Sequence, residues 1–593
     1  DHAAAADPVW PPTGGQHWPA QPSQLPRRPA WRVTWPAWRA RWPAWRARWR
    51  AWRARWRAWR VPWPAWPVRR PAWLARLAST RLARRAAALA GWLTAGALLF
   101  SCYLQISRTT PADSDGAANA LQAWDMLHGN LLLRGWHLSD VSFYTTELPE
   151  YMLIELARGL RPDVVHAAGA MTFTLLVLLA AMLARGRCRG RAAAVRMLVA
   201  AGIMLAPTLG SGVYVLLLDP DHVGTAVPVL AAWLLLDRAP RRWYVPVAAG
   251  ALLAWALIAD SLVLIIGVLP LLIVCAVRCY QGIVVRRQPP GSQWFELSLA
   301  AAALAAAAAA RAALAAIAGA GGFQVWPVGS GLALYAELPR HLLLAGQGLL
   351  LLFGADFFGS NLGMVAILAM LHWLGLGLAG WAACLAARQF AGGRDLVAQL
   401  LVAGCTVNLA AYVSSTRAVD IHSTREIAAV LPFGAVLAAR LLARRLDATG
   451  MVPALLIALT GYLACLSREM TQPAQPAQGQ QLASWLAAHQ LDYGLAGYWQ
   501  AASTTLASGG PVHVVPVQSG RGTVSRGGWE ADAAWYDPGL HTATFVVLPP
   551  GAPGLADPWS SDVQAAFGQP ARIYAAGPYT VLVWNRNLLD GLH

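Results

Sequence analysis

Thr110-Pro111-Ala112-Asp113-Ser114-Asp115-Gly116 opens a polar, acid-bearing stretch that runs to His166. One long apolar segment ends just before it, and another begins where it closes. Outward from it, apolar runs of about 18 or more residues, the length that crosses a bilayer as a helix, recur from Ala86 to Leu466. Of the 593 residues 57% are hydrophobic and 13% charged, with a mean hydropathy of +0.42. A soluble chain carries about 25% charged residues. The chain therefore reads as an α-helical polytopic membrane protein with about eleven transmembrane helices and a C-terminal α/β domain.

The eleven expected spans are 87–106, 164–184, 193–217, 223–236, 243–259, 261–281, 295–319, 363–387, 395–413, 427–443 and 452–466. Arginines crowd the even-numbered connections, as in Arg185 to Arg191, Arg238 to Arg242 and Arg440 to Arg445. By the positive-inside rule these connections and the N-terminus are cytoplasmic, and an odd span count puts the C-terminus outside. Three parts follow: a cytoplasmic tail 1–85, a membrane module 86–466 with its first external loop at 107–163, and an extracytoplasmic domain 467–593. The segment 321–359 is too broken for a span and reads as an external loop with an interfacial or re-entrant helix.

The net charge of +18 is local, because residues 1–90 hold 18 Arg against Asp1 and Asp7. Trp recurs from Trp31 to Trp66 in alternating steps of four and three. On a helix that spacing makes one Trp stripe flanked by Arg, suited to anionic lipid rather than nucleic acid. A repeat expansion in a tolerated tail explains the same pattern. The seven Cys lie in or beside apolar segments and read as small buried hydrophobes.

This topology gathers acids on the outer side. Asp113 and Asp115 lie in the first loop, Asp219-Pro220-Asp221-His222 in the second, and Asp260 at a tight outer turn. Arg417, Asp420, His422, Arg425 and Glu426 follow the ninth span. Each acid alone reads equally as a helix cap or a solvated residue. Together they make a candidate site: a carboxylate as general base, Asp115 or Asp113, with the forked guanidinium of Arg417 or Arg425 for a phosphate. The two Asp-X-Asp pairs suggest a divalent cation, Mg²⁺ or Mn²⁺, on Asp115 and Asp221. Glu147 is either a third site acid or a helix-start acid. The loop patterns predict amphipathic surface helices over 115–125 and 148–160. Tyr493, Tyr498 and Trp499 in the terminal domain read as sugar-stacking or core aromatics.

One cytoplasmic end, one span, then a long acidic outer loop with two helices resembles the GT-C superfamily of polyprenyl-phosphate-sugar-dependent glycosyltransferases, among them protein mannosyltransferases and arabinosyltransferases. The residues carrying the resemblance are Asp113-Ser114-Asp115 with Asn119, Gly129-Asn130, Glu147-Leu148-Pro149-Glu150-Tyr151, and Asp219-Pro220-Asp221-His222. Many members have adjacent acids where this chain has Asp-Ser-Asp. The resemblance implies inverting transfer from a lipid-linked donor to an extracytoplasmic glycan, glycolipid or protein, in a bacterial plasma membrane. It places Glu147, Asp219, Asp221, His222, Asp260, Arg417, His422 and Arg425 about the substrate. A lipid-linked sugar transporter or a non-catalytic scaffold also fits; a transporter would place ionisable groups near mid-membrane, where Arg311 alone stands.

Overall fold

The computed structural model describes residues 81–593 apart from 206–210, 328, 330, 359–362, 521, 550–557 and 593. The Trp/Arg repeat lies outside the described residues. Within lipid every backbone polar group must be satisfied inside the chain, so the apolar runs fold as helices. They begin with α1 (Arg81–Ser107), after which the first loop holds α2 (Ser114–Leu127) and α3 (Glu147–Arg158). The bundle continues with α4 (Asp163–Arg185), α5 (Gly190–Met204), α6 (Ser211–Leu216), α7 (Ala226–Arg238), α8 (Tyr244–Ala259), α9 (Leu269–Tyr280) and α10 (Trp294–Gly319). It closes with α11 (Leu338–Leu352), α12 (Met364–Arg388), α13 (Leu396–Ser414), α14 (Val430–Ala448) and α15 (Val452–Glu469).

Each of the eleven expected spans coincides with a helix, but only seven helices among the described residues are long and apolar enough to cross a bilayer alone. The departures have local causes. The third span holds α5 and α6, with 206–210 between them outside the described residues. α7 has 13 residues, about 20 Å at 1.5 Å per residue, and the turn that carries Asp219 and Asp221 takes up the chain before it. π-helical turns at Leu264–Val268 and Gln281–Val285 flank α9. α11 fills the broken segment and packs at one end of the bundle, where its His341 Nδ1 lies 3.0 Å from the Val413 carbonyl.

The Arg-rich connections meet at the opposite end. Arg440 of α14 bridges Asp237 at 2.9 Å and Asp395 at 3.0 Å, while Arg191 reaches Asp447 at 2.7 Å. Arg440 and Asp237 are nearly buried, so removing one partner strands the others. Arg440→Ala is expected to cost about 3 kcal/mol of stability, the low end for a broken buried pair. Thermal unfolding in detergent reads it out, and an unchanged midpoint would discard the bridge as a fastener.

The terminal domain contains α16 (Gln480–Ala488), α17 (Tyr498–Ser508) and α18 (Pro558–Phe567). In chain order the strands are β1 (Trp136–Leu138) and β2 (Gln324–Val325) in the membrane module, then β3 (Tyr493–Ala496), β4 (His513–Gly520), β5 (Thr523–Arg526), β6 (Ala531–Asp532), β7 (Phe545–Leu548), β8 (Arg572–Ala576) and β9 (Tyr579–Val583). Six form one sheet in the order β5-β4-β3-β7-β9-β8, with β3 parallel to both β4 and β7. β3 is short and holds Gly494, whose missing Cβ leaves room for the Phe545 ring; a Cβ there would lie 2.4 Å from it.

A second, three-stranded sheet, β2-β1-β6, ties the first loop to the terminal domain, with Trp136 opposite Asp532. The first-loop helices have the expected positions but a different setting. α2 is buried along most of its length, packed between α3 and α17 rather than lying on a surface. α17 of the terminal domain covers one face of α2.

Candidate active site

Asp113 is the N-cap of α2, with its Oδ1 accepting the Gly116 N–H at 3.2 Å. Gly116 is required there because a Cβ would fall 2.4 Å from Val165. The helix dipole favours carboxylates in this first turn, where Asp115 also sits. Asp113 Oδ2 is buried without a hydrogen-bond partner. Burial, then the charges of Asp219 and Asp115, hold the Asp113 carboxyl well above the usual carboxylate range.

The turn before α7 supplies the second pair. Asp219 accepts the Asp221 N–H at 3.1 Å. Burial, then Asp221, push the Asp219 carboxyl far up. Burial also raises Asp221, against the pull of Arg425, to about 7. Next in the turn, His222 adopts φ +56°, a conformation uncommon for a non-glycine residue. Its Nδ1 lies 2.9 Å from Asp260 Oδ2, which also accepts the Thr225 hydroxyl at 2.5 Å. Burial disfavours the imidazolium, but the Asp260 carboxylate outweighs it and lifts the His222 pKa to about 10.

Arg425, between α13 and α14, joins the two pairs. Its Nη2 is 3.3 Å from Asp115 Oδ2, and its Nη1 is 3.6 Å from Asp221 Oδ2. Asn119, one turn along α2 from Asp115, donates from Nδ2 to Asp221 Oδ1 at 2.8 Å. Four carboxylates thus face one guanidinium, and burial with like-charge repulsion disfavours the charged form most at Asp113 and Asp219. Asp115 differs from them: its side chain keeps 15% exposure and takes the Tyr498 hydroxyl hydrogen bond at 2.7 Å.

A polar cavity of about 180 Å³ opens beyond Asp221, lined by Asp140, His222, Asp260, Asn408, Tyr412 and Arg417. Arg417 is held by Asp140 and lies 3.9 Å from Glu426. Asn408 Nδ2 is buried there without a partner, a donor free for a ligand.

Of the residues expected at the site, Asp113, Asp115, Asp219, Asp221 and Arg425 converge, while His222, Asp260 and Arg417 line the neighbouring cavity. Glu147 packs against Gly224, where a Cβ would fall 2.2 Å from its Oε1, and its side chain takes the Thr146 hydroxyl. His422 is exposed, its ring 4.6 Å from Tyr214. Tyr498, expected as a stacking or core aromatic, also places its hydroxyl on Asp115. Glu530, on the same hydroxyl, carries no sequence signal. Arg311 is exposed on α10 and does not face a passage inside the bundle.

Among the described residues no three His, Cys, Asp or Glu side chains are grouped to hold a metal ion. Arg425 stands between Asp115 and Asp221, the two carboxylates expected to hold a cation.

No protein-family model and no curated protein matches the chain. Solved structures do. ArnT from Cupriavidus metallidurans bound to undecaprenyl phosphate is 13% identical over 83% of this chain and 97% of that one, with a TM-score of 0.49. Its apo state is 14% identical over 84% and 98%, with a TM-score of 0.47. The oligosaccharyltransferase of Archaeoglobus fulgidus, in complex with zinc and sulfate, is 12% identical over 77% and 67%, with a TM-score of 0.43. It is to these solved structures that the chain is similar.

Proposed function

We propose that this multi-pass membrane protein is a GT-C-type glycosyltransferase. It moves a sugar from a polyprenyl-phosphate donor to a hydroxyl of an extracytoplasmic glycan, glycolipid or protein, with Asp115 as general base. The observation that carries the reading is the meeting of Asp115, Asp221 and Arg425 at one end of the bundle, beside a polar cavity lined by Arg417.

The chemistry assigns the parts. The acceptor oxygen bonds the anomeric carbon as Asp115 takes its proton. The bond from that carbon to the phosphate oxygen breaks, and the phosphate leaves with the electron pair. Arg417 faces the space where that charge develops, and a guanidinium suits a phosphate's paired oxygens. Attack opposite the leaving group inverts the anomeric centre. The cavity's carboxylates and Asn408 suit sugar hydroxyls. The polyprenyl chain then lies between spans, the Arg-rich end and the N-terminus face the cytoplasm, and the acid end with the terminal domain faces outward across a bacterial plasma membrane.

The protein reconstituted in vesicles is expected to release polyprenyl phosphate one-for-one with new glycoside when given a polyprenyl monophosphate sugar and an acceptor. A donor left intact with all three acceptor classes would refute the proposal. EDTA in the same assay separates two forms of it. Retained transfer leaves the charge neutralisation with Arg417 and Arg425. Loss restored by Mg²⁺ or Mn²⁺ assigns it to an ion on Asp115 and Asp221 that displaces Arg425.

A further inference from the structure

The terminal domain reaches the acid cluster through two residues. Tyr498 opens α17 just after the carboxyl end of β3, the strand flanked by two parallel neighbours. In sheets of this kind that is where a crevice opens for chemistry. Glu530 stands at φ +49° immediately before β6, whose pairing with β1 fixes it against the first loop. It is 4% exposed.

The Tyr498 hydroxyl meets Asp115 Oδ1 at 2.7 Å and is also within hydrogen-bonding reach of Glu530 Oε2. A phenol carries one hydrogen, and an ionised carboxylate carries none. Two such contacts on one phenolic oxygen therefore need a second hydrogen, and only a carboxylic acid O–H can supply it. Asp115 instead forms an ion pair with the Arg425 guanidinium at 3.3 Å. Glu530 is buried against the Tyr498 hydroxyl, with Asp115, Asp221 and the Ser139 hydroxyl acting on it. The second hydrogen thus belongs on Glu530. Burial, then the Asp115 charge, push the Glu530 carboxyl in the same direction, well above the usual range.

We propose that Glu530 acts as a neutral acid, donating to Tyr498, whose own hydrogen then fixes Asp115 Oδ1, so that the terminal domain positions the base. A phenol that accepts a hydrogen bond donates a stronger one. Asp115 is thereby held between two donors on different elements, Tyr498 and Arg425, with its remaining lone pairs turned to substrate. Tyr498 and Glu530 are positioning residues, and the proposal rests on the reading of Asp115 as the base.

Glu530→Gln tests it, because an amide N–H replaces the acid O–H at the same reach and cannot ionise. In the reconstituted full-length protein, Glu530→Gln is expected to keep kcat within about threefold of wild type. Glu530→Ala and Tyr498→Phe are expected to lose about tenfold in kcat with donor KM little changed, the effect of one hydrogen bond to a charged group. The infrared difference spectrum between wild type and Glu530→Gln at neutral pH is expected to show a carboxylic-acid C=O band belonging to Glu530. A Gln variant as impaired as the Ala variant, or a carboxylate band in place of the acid band, would overturn the proposal. The infrared result does not depend on transfer, so a failure of Asp115 as base, seen as full activity in Asp115→Asn, is told apart from a failure of this chain.

Discussion

Asp115→Asn is expected to lower the transfer rate by about 10³, within the range that a positioned general base contributes. The substitution is nearly isosteric and keeps an oxygen for one donor, so donor binding should hold while kcat falls. Asp113→Asn is expected to do far less. Asp113 is buried, with its carboxyl pushed above the usual carboxylate range, and its Oδ1 caps α2 through Gly116, a task an amide oxygen also performs. The contrast between the two matters more than either value. Equal loss in both variants would mean that the pair acts as a unit, and a larger loss at Asp113 would transfer the base role to it.

Arg425→Lys is expected to reduce transfer by about 10², close to the cost of removing an electrostatic partner from a preorganised site. The guanidinium presents different nitrogens to Asp115 and Asp221, which lie on separate elements. A lysine ammonium is one point charge and cannot span both in that geometry. Asp221 would then lose the cation that opposes its upward shift, and Asp115 would lose one of its two holders. Lys restoring wild-type rates would show that only net charge matters here. Arg417→Lys, measured alongside, should instead raise donor KM, since Arg417 belongs to the cavity rather than to the carboxylate pair.

Much of this arrangement was legible in the residues, and the illegible part has a common cause. α2 and α3 were readable because capping acids and three- and four-residue apolar steps are local signals. The gathering of Asp113, Asp115, Asp219, Asp221 and Arg425 at one end followed from arginine placement and span counting, without any contact being visible. The Arg440 bridge to Asp237 and Asp395 lies at the other end, where the basic connections were expected. The short α7 was legible as the expected span 223–236, but the sequence could not show what it packs against. Nor could it show the covering of α2, which depends on β1 pairing with β6 across almost 400 residues of chain. Tyr498 looked like one aromatic among several, and no local pattern marks Glu530. Their roles arise only when β3, β6 and α2 are brought together.

The central claim is that Asp115 faces the anomeric carbon of a donor whose phosphate lies by Arg417. An experimental structure with a non-hydrolysable polyprenyl-phosphonate sugar bound tests it most directly. The account predicts the phosphonate within hydrogen-bonding distance of Arg417, the sugar in the cavity lined by His222, Asp260 and Asn408, and Asp115 on the side opposite the leaving oxygen. A headgroup lodged between the spans away from this cavity, or a sugar whose open face meets neither Asp115 nor Asp113, would contradict it.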